Sequence, residues 1–347
     1  MRICFLYTEL ADYFLKCIEY TANNYDVEFL IIHWEINKEA PFVIEPIINC
    51  TLVSKGNPNL KYTETLIQNF KPHIIFCSGW VDKDYLRICK NLKHSTINVI
   101  GFDNHFKYNV KQLLARIYSQ FVLLNIFKYC WVPGLPQTYF ARYLGFNSSA
   151  IKTGFYTANI SYFNNCYDVQ KKYDNKIILY CARYIHSKGI FELWDAFINL
   201  CSQNEYKNWQ LWCIGTGECF ESRVLHPNIK HFGFIQPKKL VSYIAKADGY
   251  ILPSHKEPWG VSVQEMAAGG LPLLLSNSVG AATNFLTTNG FSFHPTVDGI
   301  TNCLIKFMKL SSTEKHKMGQ TSHHLANTVT HAHWANTLLS FNKNAIN

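Results

Sequence analysis

Short apolar runs alternate with helix-period segments along the whole chain, and this alternation limits the fold more than any other feature. Runs at 2–7, 27–32, 42–53, 73–77, 97–101, 129–132 and 150–153 read as strands in the first half. In the second half they lie at 176–181, 209–214, 229–232, 249–252, 271–276 and 291–293. Between them, apolar residues recur at helical spacing over 10–22, 60–70, 84–93, 110–127, 188–203, 237–246 and 261–269. Strands that alternate with helices build βαβ units, hence parallel sheets covered on both faces. About a dozen strands exceed an ordinary single sheet, and 347 residues exceed an ordinary single core. The expected fold class is therefore α/β: two doubly wound, Rossmann-like domains facing a cleft. The polar segment Tyr162–Asn175 is the natural linker. The expected domains are 1–160 and 161–330, with 331–347 a C-terminal helix packing back toward the first.

Composition narrows the functional classes. Hydrophobic residues make up 48% and charged residues 16%, which excludes a disordered chain. The net charge is +9. Residues 1–160 carry 16 Lys and Arg against 12 Asp and Glu, and the remainder carries 17 against 12. The surplus is spread over both halves with no basic block. It suits anionic ligands or an anionic membrane face, and no nucleic-acid partner is expected. The 12 cysteines form no C-x-x-C pair. Cys4, Cys77, Cys181 and Cys213 fall inside apolar strands and read as small buried hydrophobes in a reducing cytosol. The N-terminal run meets Glu9 and Asp12 too early for a signal peptide. No apolar run approaches the roughly 18–20 residues of a membrane span. A cytoplasmic protein is expected, possible docking on the inner membrane face included.

Open α/β sheets bind ligands beyond the carboxyl ends of their strands, so the residues just after each strand carry the most weight. The richest such segment is 251–272. There a strand ends in Pro253-Ser254, and a loop holds Glu257. Trp259-Gly260-Val261 then opens a helix that carries Glu265 and ends in Gly269-Gly270. Two glutamates astride a helix start can hold a polyhydroxylated ligand at two points. The helix start itself offers N–H groups and a positive dipole end to an anion. Hydroxyls plus a diphosphate describe a nucleotide sugar.

This segment resembles the E-x7-E motif of retaining GT-B glycosyltransferases, family 4 in particular. Ala182-Arg183-Tyr184-Ile185-His186-Ser187-Lys188-Gly189 resembles the family's phosphate clamp, with Ala182 where a glycine is usual. Ile214-Gly215-Thr216-Gly217-Glu218 resembles its glycine turn, and His231-Phe232-Gly233-Phe234-Ile235 resembles the lining of its nucleobase pocket. Asn289-Gly290-Phe291-Ser292-Phe293 and the segment around Trp334 also fit. Besides Ala182, two features depart from the pattern. Asn284 stands near the place of a usual glutamate, and Tyr7-Thr8-Glu9-Leu10 stands where the family has a glycine-rich loop. The first 160 residues match in pattern only.

The resemblance implies a retaining glycosyltransferase that moves a sugar from a nucleotide diphosphate sugar to the hydroxyl of a saccharide or lipid-linked saccharide. Bacterial surface polysaccharide (capsule or O-antigen) would be the setting. Arg183 and Lys188 would stabilise the diphosphate leaving group, Glu257 would accept from the transferred sugar, and Glu265 would accept from the ribose diol. Backbone N–H groups of Trp259, Gly260 and Val261 would meet the diphosphate, with Ser254, Gly215 and Phe234 completing the donor site. His105, in the loop after the 97–101 strand, would sit near the donor phosphate or reacting sugar. Ser78-Gly79-Trp80 would line the acceptor side. No cofactor and no metal are required. Two rivals share the scaffold: an epimerase or phosphorylase, and a non-catalytic nucleotide-sugar-binding subunit.

Other features have plainer explanations. A carboxylate pair could serve a glycosidase, but that leaves Arg183, Lys188 and the helix start without a role. Asp82-Lys83-Asp84 has the form of a metal-binding D-x-D, yet it directly precedes a helix-period run and reads as an N-cap. Gly215-Thr216-Gly217 lacks the third glycine of a dinucleotide fingerprint. His323, His324, His331 and His333 read as a polar helix surface before a zinc site. Residues 107–128 set Lys107, Lys111, Arg116 and Lys128 among Leu113, Leu114, Ile117, Tyr118, Phe121, Val122, Leu123 and Leu124. Core packing and docking on an anionic membrane both fit that pattern.

Overall fold

The computed structural model describes residues 1–35, 44–56 and 60–343. The chain divides into two compact units, Met1–Thr157 with Val329–Asn347, and Ala158–Thr328.

The first unit runs β1 (Arg2–Tyr7), α1 (Asp12–Asn24), β2 (Glu28–His33), β3 (Cys50–Ser54), α2 (Leu60–Phe70), β4 (Ile74–Ser78) and α3 (Lys83–Leu92). It continues through β5 (Ile97–Gly101), α4 (Val110–Tyr118), α5 (Leu124–Ile126), β6 (Tyr129–Trp131), α6 (Leu135–Leu144) and β7 (Ile151–Lys152). Its parallel sheet has the order β3-β2-β1-β4-β5-β6-β7. Successive side chains of a strand point to opposite faces, and β1 shows the consequence. Cys4 and Leu6 enter one core with Ile75, Tyr85 and Phe140. Ile3, Phe5 and Tyr7 enter the other with Phe14, Ile18 and Trp131. Both faces are covered, so the strands read as continuous apolar runs.

The second unit runs α7 (Ile160–Asn164), β8 (Ile177–Cys181), α8 (Ile190–Cys201), β9 (Gln210–Ile214), β10 (Ile229–His231), α9 (Pro237–Lys246) and β11 (Gly249–Leu252). It continues through α10 (Val261–Ala268), β12 (Leu273–Ser276), α11 (Ala282–Phe285), β13 (Gly290–Phe293), α12 (Val297–Met308) and α13 (Ser312–Ala326). Its parallel sheet has the order β10-β9-β8-β11-β12-β13. The last helix, α14 (His331–Lys343), belongs to the first unit, where Trp334 Nε1 donates to the Phe155 carbonyl at 2.8 Å.

Three expectations are corrected. The run 42–53 forms a strand only from Cys50; residues 42 and 43 lie outside the described residues. The supposed linker Tyr162–Asn175 is packed into the second unit. The Tyr167 ring stacks on His323 at 3.7 Å, and Tyr173 Oη donates to the Gly270 carbonyl. Core packing does not hold for the apolar stripe of α4: Ala115 is half-buried against the core, and no residue of the helix is buried. A π-turn at Ser119–Leu123 follows it and changes the phase of the helix. Leu123 at the end of the turn and Ile126 and Phe127 beyond it are buried, whereas Val110, Leu113, Leu114, Ile117, Tyr118 and Phe121 are exposed.

Candidate active site

The strand order of the second unit reverses between β8 and β11, and the crevice outside such a switch point is where doubly wound sheets hold ligands. The loops leaving these two strands are Ala182–Gly189 and Pro253–Gly260.

They are fused by backbone contacts. A 3-10 turn at His186–Lys188 ends in Gly189, with φ +68°. A Cβ at Gly189 would stand 2.1 Å from the Pro253 carbonyl oxygen, so the approach admits no side chain. The Ser187 carbonyl accepts from the amides of His255 and Lys256 at 2.9 and 3.2 Å. Lys188 Nζ is thereby brought onto the Glu257 carboxylate, with which it forms an ion pair. Ser254 Oγ donates to the same oxygen at 3.4 Å. Ser254 and Glu257 are both buried. A buried carboxylate is tolerated when it is paired and hydrogen-bonded, and here both conditions are met.

The loop is also held from β12. Ser276 Oγ donates to the Ser254 carbonyl at 2.6 Å. The amides of Gly280 and Ala281 donate to the carbonyls of Glu257 and Trp259 at 3.1 and 2.9 Å. Gly260 caps α10 with φ +95°, and a Cβ there would press on Glu257 Cγ at 3.1 Å. The α10 start is therefore beside the Glu257 side chain. Glu265 lies one turn further on and is half-buried. Its charge helps to raise the Cys181 thiol, which burial already pushes far up, so Glu265 lies near the carboxyl end of β8. The α10 helix is tied to the same place: Ser262 Oγ bonds Tyr250 Oη at 2.8 Å, and Tyr250 Oη donates to the Cys181 carbonyl at 3.3 Å.

Arg183 is exposed in the clamp loop, its carbonyl accepting from Tyr180 Oη at 3.0 Å. The glycine turn packs flat against that loop. A Cβ at Gly215 would stand 2.0 Å from the Ala182 carbonyl oxygen, and one at Gly217 2.6 Å from that of Tyr184. The Tyr184 amide donates to Thr216 at 2.8 Å. Beside it, His231 is bracketed. Nδ1 meets Tyr184 Oη and Nε2 meets the Val224 carbonyl, each at 2.9 Å. Burial lowers the His231 pKa, helped by the Arg223 charge and opposed by the Val224 contact. A neutral ring with its proton on Nε2 satisfies both partners. Phe234 stands further along, half-buried, on the wall of a hollow of about 690 Å³ with Ile235, Gln236, Lys238 and Tyr243.

Arg183, Lys188, Ser254, Glu257, Trp259 and Gly260 thus lie on loops tied to one another, Val261 and Glu265 lie on the helix that follows, and Gly215 is packed behind them. Ser187, Ser276, Gly280 and Ala281 fix that frame; of these, Ser276 carries a sequence signal, its place at a strand's carboxyl end. His105 lies in the first unit, where its carbonyl accepts from Gln112 Nε2. Trp80, also there, packs edge-on against Phe102 at 5.4 Å.

The other features keep their plain roles. Asp82 Oδ1 caps α3 through the amides of Asp84 and Tyr85 at 3.0 and 3.1 Å, while Oδ2 pairs with Lys55 at 2.6 Å. The four C-terminal histidines divide between α13 and α14. Among the described residues no group of three or more His, Cys, Asp or Glu could hold a metal ion. Among them, too, no helix is long and apolar enough to cross a membrane. All 12 cysteines are free thiols.

Residues 167–324 match the family model of glycosyl transferases group 1. The matched stretch lies within the second unit and holds both loops of the candidate site. The 2-deoxystreptamine N-acetyl-D-glucosaminyltransferase of Niallia circulans is 30% identical over 119 residues, which is 32% of this chain and 30% of that protein. The chain thus matches about a third of the length of this curated relative. Solved structures extend the likeness to the whole chain. Sucrose-phosphate synthase from Thermosynechococcus elongatus superposes with a TM-score of 0.78 at 14% identity, covering 100% of this chain and 99% of that one. The E. coli trehalose-6-phosphate structure bound with UDP-2-fluoro glucose gives 0.75 at 13% identity, covering 99% of each chain. At such identities the likeness is one of fold, and the fold is GT-B: two parallel-strand sheets flanked by helices.

Proposed function

We propose that this chain is a retaining glycosyltransferase that uses a nucleotide diphosphate sugar. The observation that carries this is the Lys188–Glu257–Ser254 cluster at the β8/β11 switch point, its glutamate and serine buried, beside the start of α10. It falls within the stretch that matches the glycosyl transferases group 1 model. The nucleotide sugar bound in the E. coli relative supports the donor class.

Each group has a chemical task. Departure of the nucleotide places negative charge on the diphosphate oxygens. Arg183 offers a planar fork to that charge and Lys188 a point charge, and both act most strongly as the charge develops. Without donor, Lys188 is neutralised by Glu257. On binding, the diphosphate takes up Lys188 and the sugar hydroxyls take up Glu257, so one ion pair is exchanged for two ligand contacts. Amides at Trp259, Gly260 and Val261 receive the diphosphate at the helix start, with Ser254 beside them. Glu265 accepts from the ribose diol, and Phe234 stands at the base. Positioning supplies the remaining acceleration. The departing phosphate takes the acceptor proton on the same face, so the anomeric configuration is kept. His105 serves the reacting sugar. The scheme uses no metal and no cofactor. The acceptor is a saccharide or lipid-linked saccharide of surface polysaccharide assembly, met on the cytoplasmic side of the membrane.

The test is turnover. The protein is incubated with UDP-, GDP- and ADP-sugars and a membrane lipid extract, and released nucleoside diphosphate and new glycoside are measured together. One nucleotide class is expected to give product. Arg183→Ala and Lys188→Ala are each expected to lower kcat by about 100-fold or more, the scale of losing an anion-stabilising donor. Product of inverted configuration, by NMR coupling, would overturn the retaining assignment.

A further inference from the structure

Helix α4 turns its apolar stripe to solvent. Val110, Leu113, Leu114, Ile117, Tyr118 and Phe121 repeat at the spacing of a single helical face. All six are exposed, from 39% at Tyr118 to 75% at Phe121. Helices of globular domains put such a stripe against the core, and a contiguous exposed stripe marks an interaction surface.

The chain segment that carries the stripe has side-chain charge of one sign. Not one acidic residue occurs from Asn104 to Tyr167, although the chain contains 24. The same stretch holds Lys107, Lys111, Arg116, Lys128, Arg142 and Lys152. Lys107, Lys111 and Arg116, in or next to α4, are all exposed. A second copy of this chain would set these cations against their own kind, because a twofold interface opposes a patch to itself. An anionic surface would instead complement them.

The helix also serves a cavity. Lys111, Gln112 and Ala115 form one wall of a hollow of about 320 Å³, with Gly79, Trp80 and Phe140 opposite. The hollow lies at the carboxyl ends of β4 and β5, where a doubly wound sheet holds ligands.

We propose that the apolar stripe of α4 inserts into the face of an anionic lipid bilayer, and that the hollow beside it receives an acceptor carried by lipid. The second half rests on the glycosyltransferase reading above; the first does not. Apolar side chains enter the headgroup boundary while the flanking lysines and arginine meet lipid phosphates. Docking in this way sets the hollow at headgroup level.

Co-flotation with vesicles tests this. Vesicles of phosphatidylglycerol in phosphatidylcholine are compared with phosphatidylcholine alone, at low and high salt. The expected result is binding to the anionic vesicles only, weakened by salt. Leu113→Ser/Leu114→Ser/Ile117→Ser is expected to lower the bound fraction about tenfold or more. The melting temperature should hold, since the replaced side chains are exposed. Its rise with nucleotide sugar should be the same in both proteins. Wild type that stays off anionic vesicles, or a variant that binds as well as wild type, would overturn the docking. So would a dimer, seen by light scattering, that this variant abolishes. Vesicle binding without any nucleotide-sugar response would remove the lipid-borne acceptor and leave the docking standing.

Discussion

Lys188 and Glu257, 69 positions apart in sequence, form a part-buried ion pair between the loops that leave the two strands flanking the switch point. Each side chain carries the charge that the other needs in the absence of ligand. Removing one partner leaves the other buried and uncompensated. Lys188→Met and Glu257→Gln are each expected to lower the unfolding free energy by about 2 kcal/mol or more, less than a fully buried pair would lose. The double variant should recover most of that stability and none of the activity. Urea denaturation of the four proteins checks this. Single variants as stable as wild type would show that the pair does not hold the loops.

Gly189 and Gly233 both have positive φ, +68° and +67°, yet their surroundings differ. A Cβ at Gly189 would meet the Pro253 carbonyl, whereas at Gly233 nothing lies within 4 Å. Gly233→Ala should cost only the left-handed backbone preference, about 1 kcal/mol. Gly189→Ala should cost at least about 2 kcal/mol more, from the clash and the displaced loop. Parallel denaturation curves give the difference, and equal losses would contradict the close approach.

His231 is held neutral between Tyr184 and Val224, and burial lowers its pKa below the usual imidazole value of about 6.5. The unfolded chain takes up a proton there at higher pH than the folded one. This contribution to stability is therefore full above about pH 6.5 and is lost as pH falls through the lower folded value. An NMR titration of the His231 ring is expected to give a midpoint below the unfolded reference. A midpoint at or above it would contradict the bracketed neutral ring.

Asp82 is the second acid-sensitive point. Burial pushes its carboxyl up, but hydrogen bonds from Lys55, Trp34 and the Tyr85 amide outweigh it, and the carboxyl stays below its usual value. Stability from Asp82 is thus present above the ordinary aspartate range and disappears as pH falls through the folded value. Asp82→Ala removes the α3 cap as well, at a cost of about 1–2 kcal/mol at neutral pH. The loss should shrink as pH falls through the lowered folded value, where wild type loses the same charge. A loss independent of pH would assign it to packing alone.

Periodicity and motifs disclosed the strands, the α/β class and the side chains of the candidate site, because these depend on local pattern. Glu257 and Glu265 could be read from their places around a helix start after a strand, and Lys188 from the resemblance of its loop to a phosphate clamp. The frame behind them could not. Ser276 reaches Ser254 only through the pairing of neighbouring loops, and the Gly189–Pro253 approach is a backbone contact without a side-chain signature. Helix α13 escaped periodicity for another reason: its buried face is Lys315, Gly319, Ser322 and Ala326, small or polar residues that hydrophobic spacing does not register. In Tyr162–Asn175, composition concealed packing by Cys166, Tyr167 and Tyr173. The stripe of α4 was legible, but spacing does not say whether a stripe faces core or solvent, and the π-turn that decides it has no sequence pattern.

The most direct test of the donor site is a thermal-shift titration of UDP-, GDP- and ADP-sugars with wild type, Arg183→Ala and Glu265→Ala. A ligand that binds only the folded state stabilises it by about 2.7 kcal/mol at a hundredfold excess over Kd, several degrees for a unit of this size. The expected result is a rise with one nucleotide class, with the titration midpoint moved at least about tenfold in both variants. No rise with any class, or equal rises in all three proteins, would contradict the placement of the donor at the β8/β11 switch point.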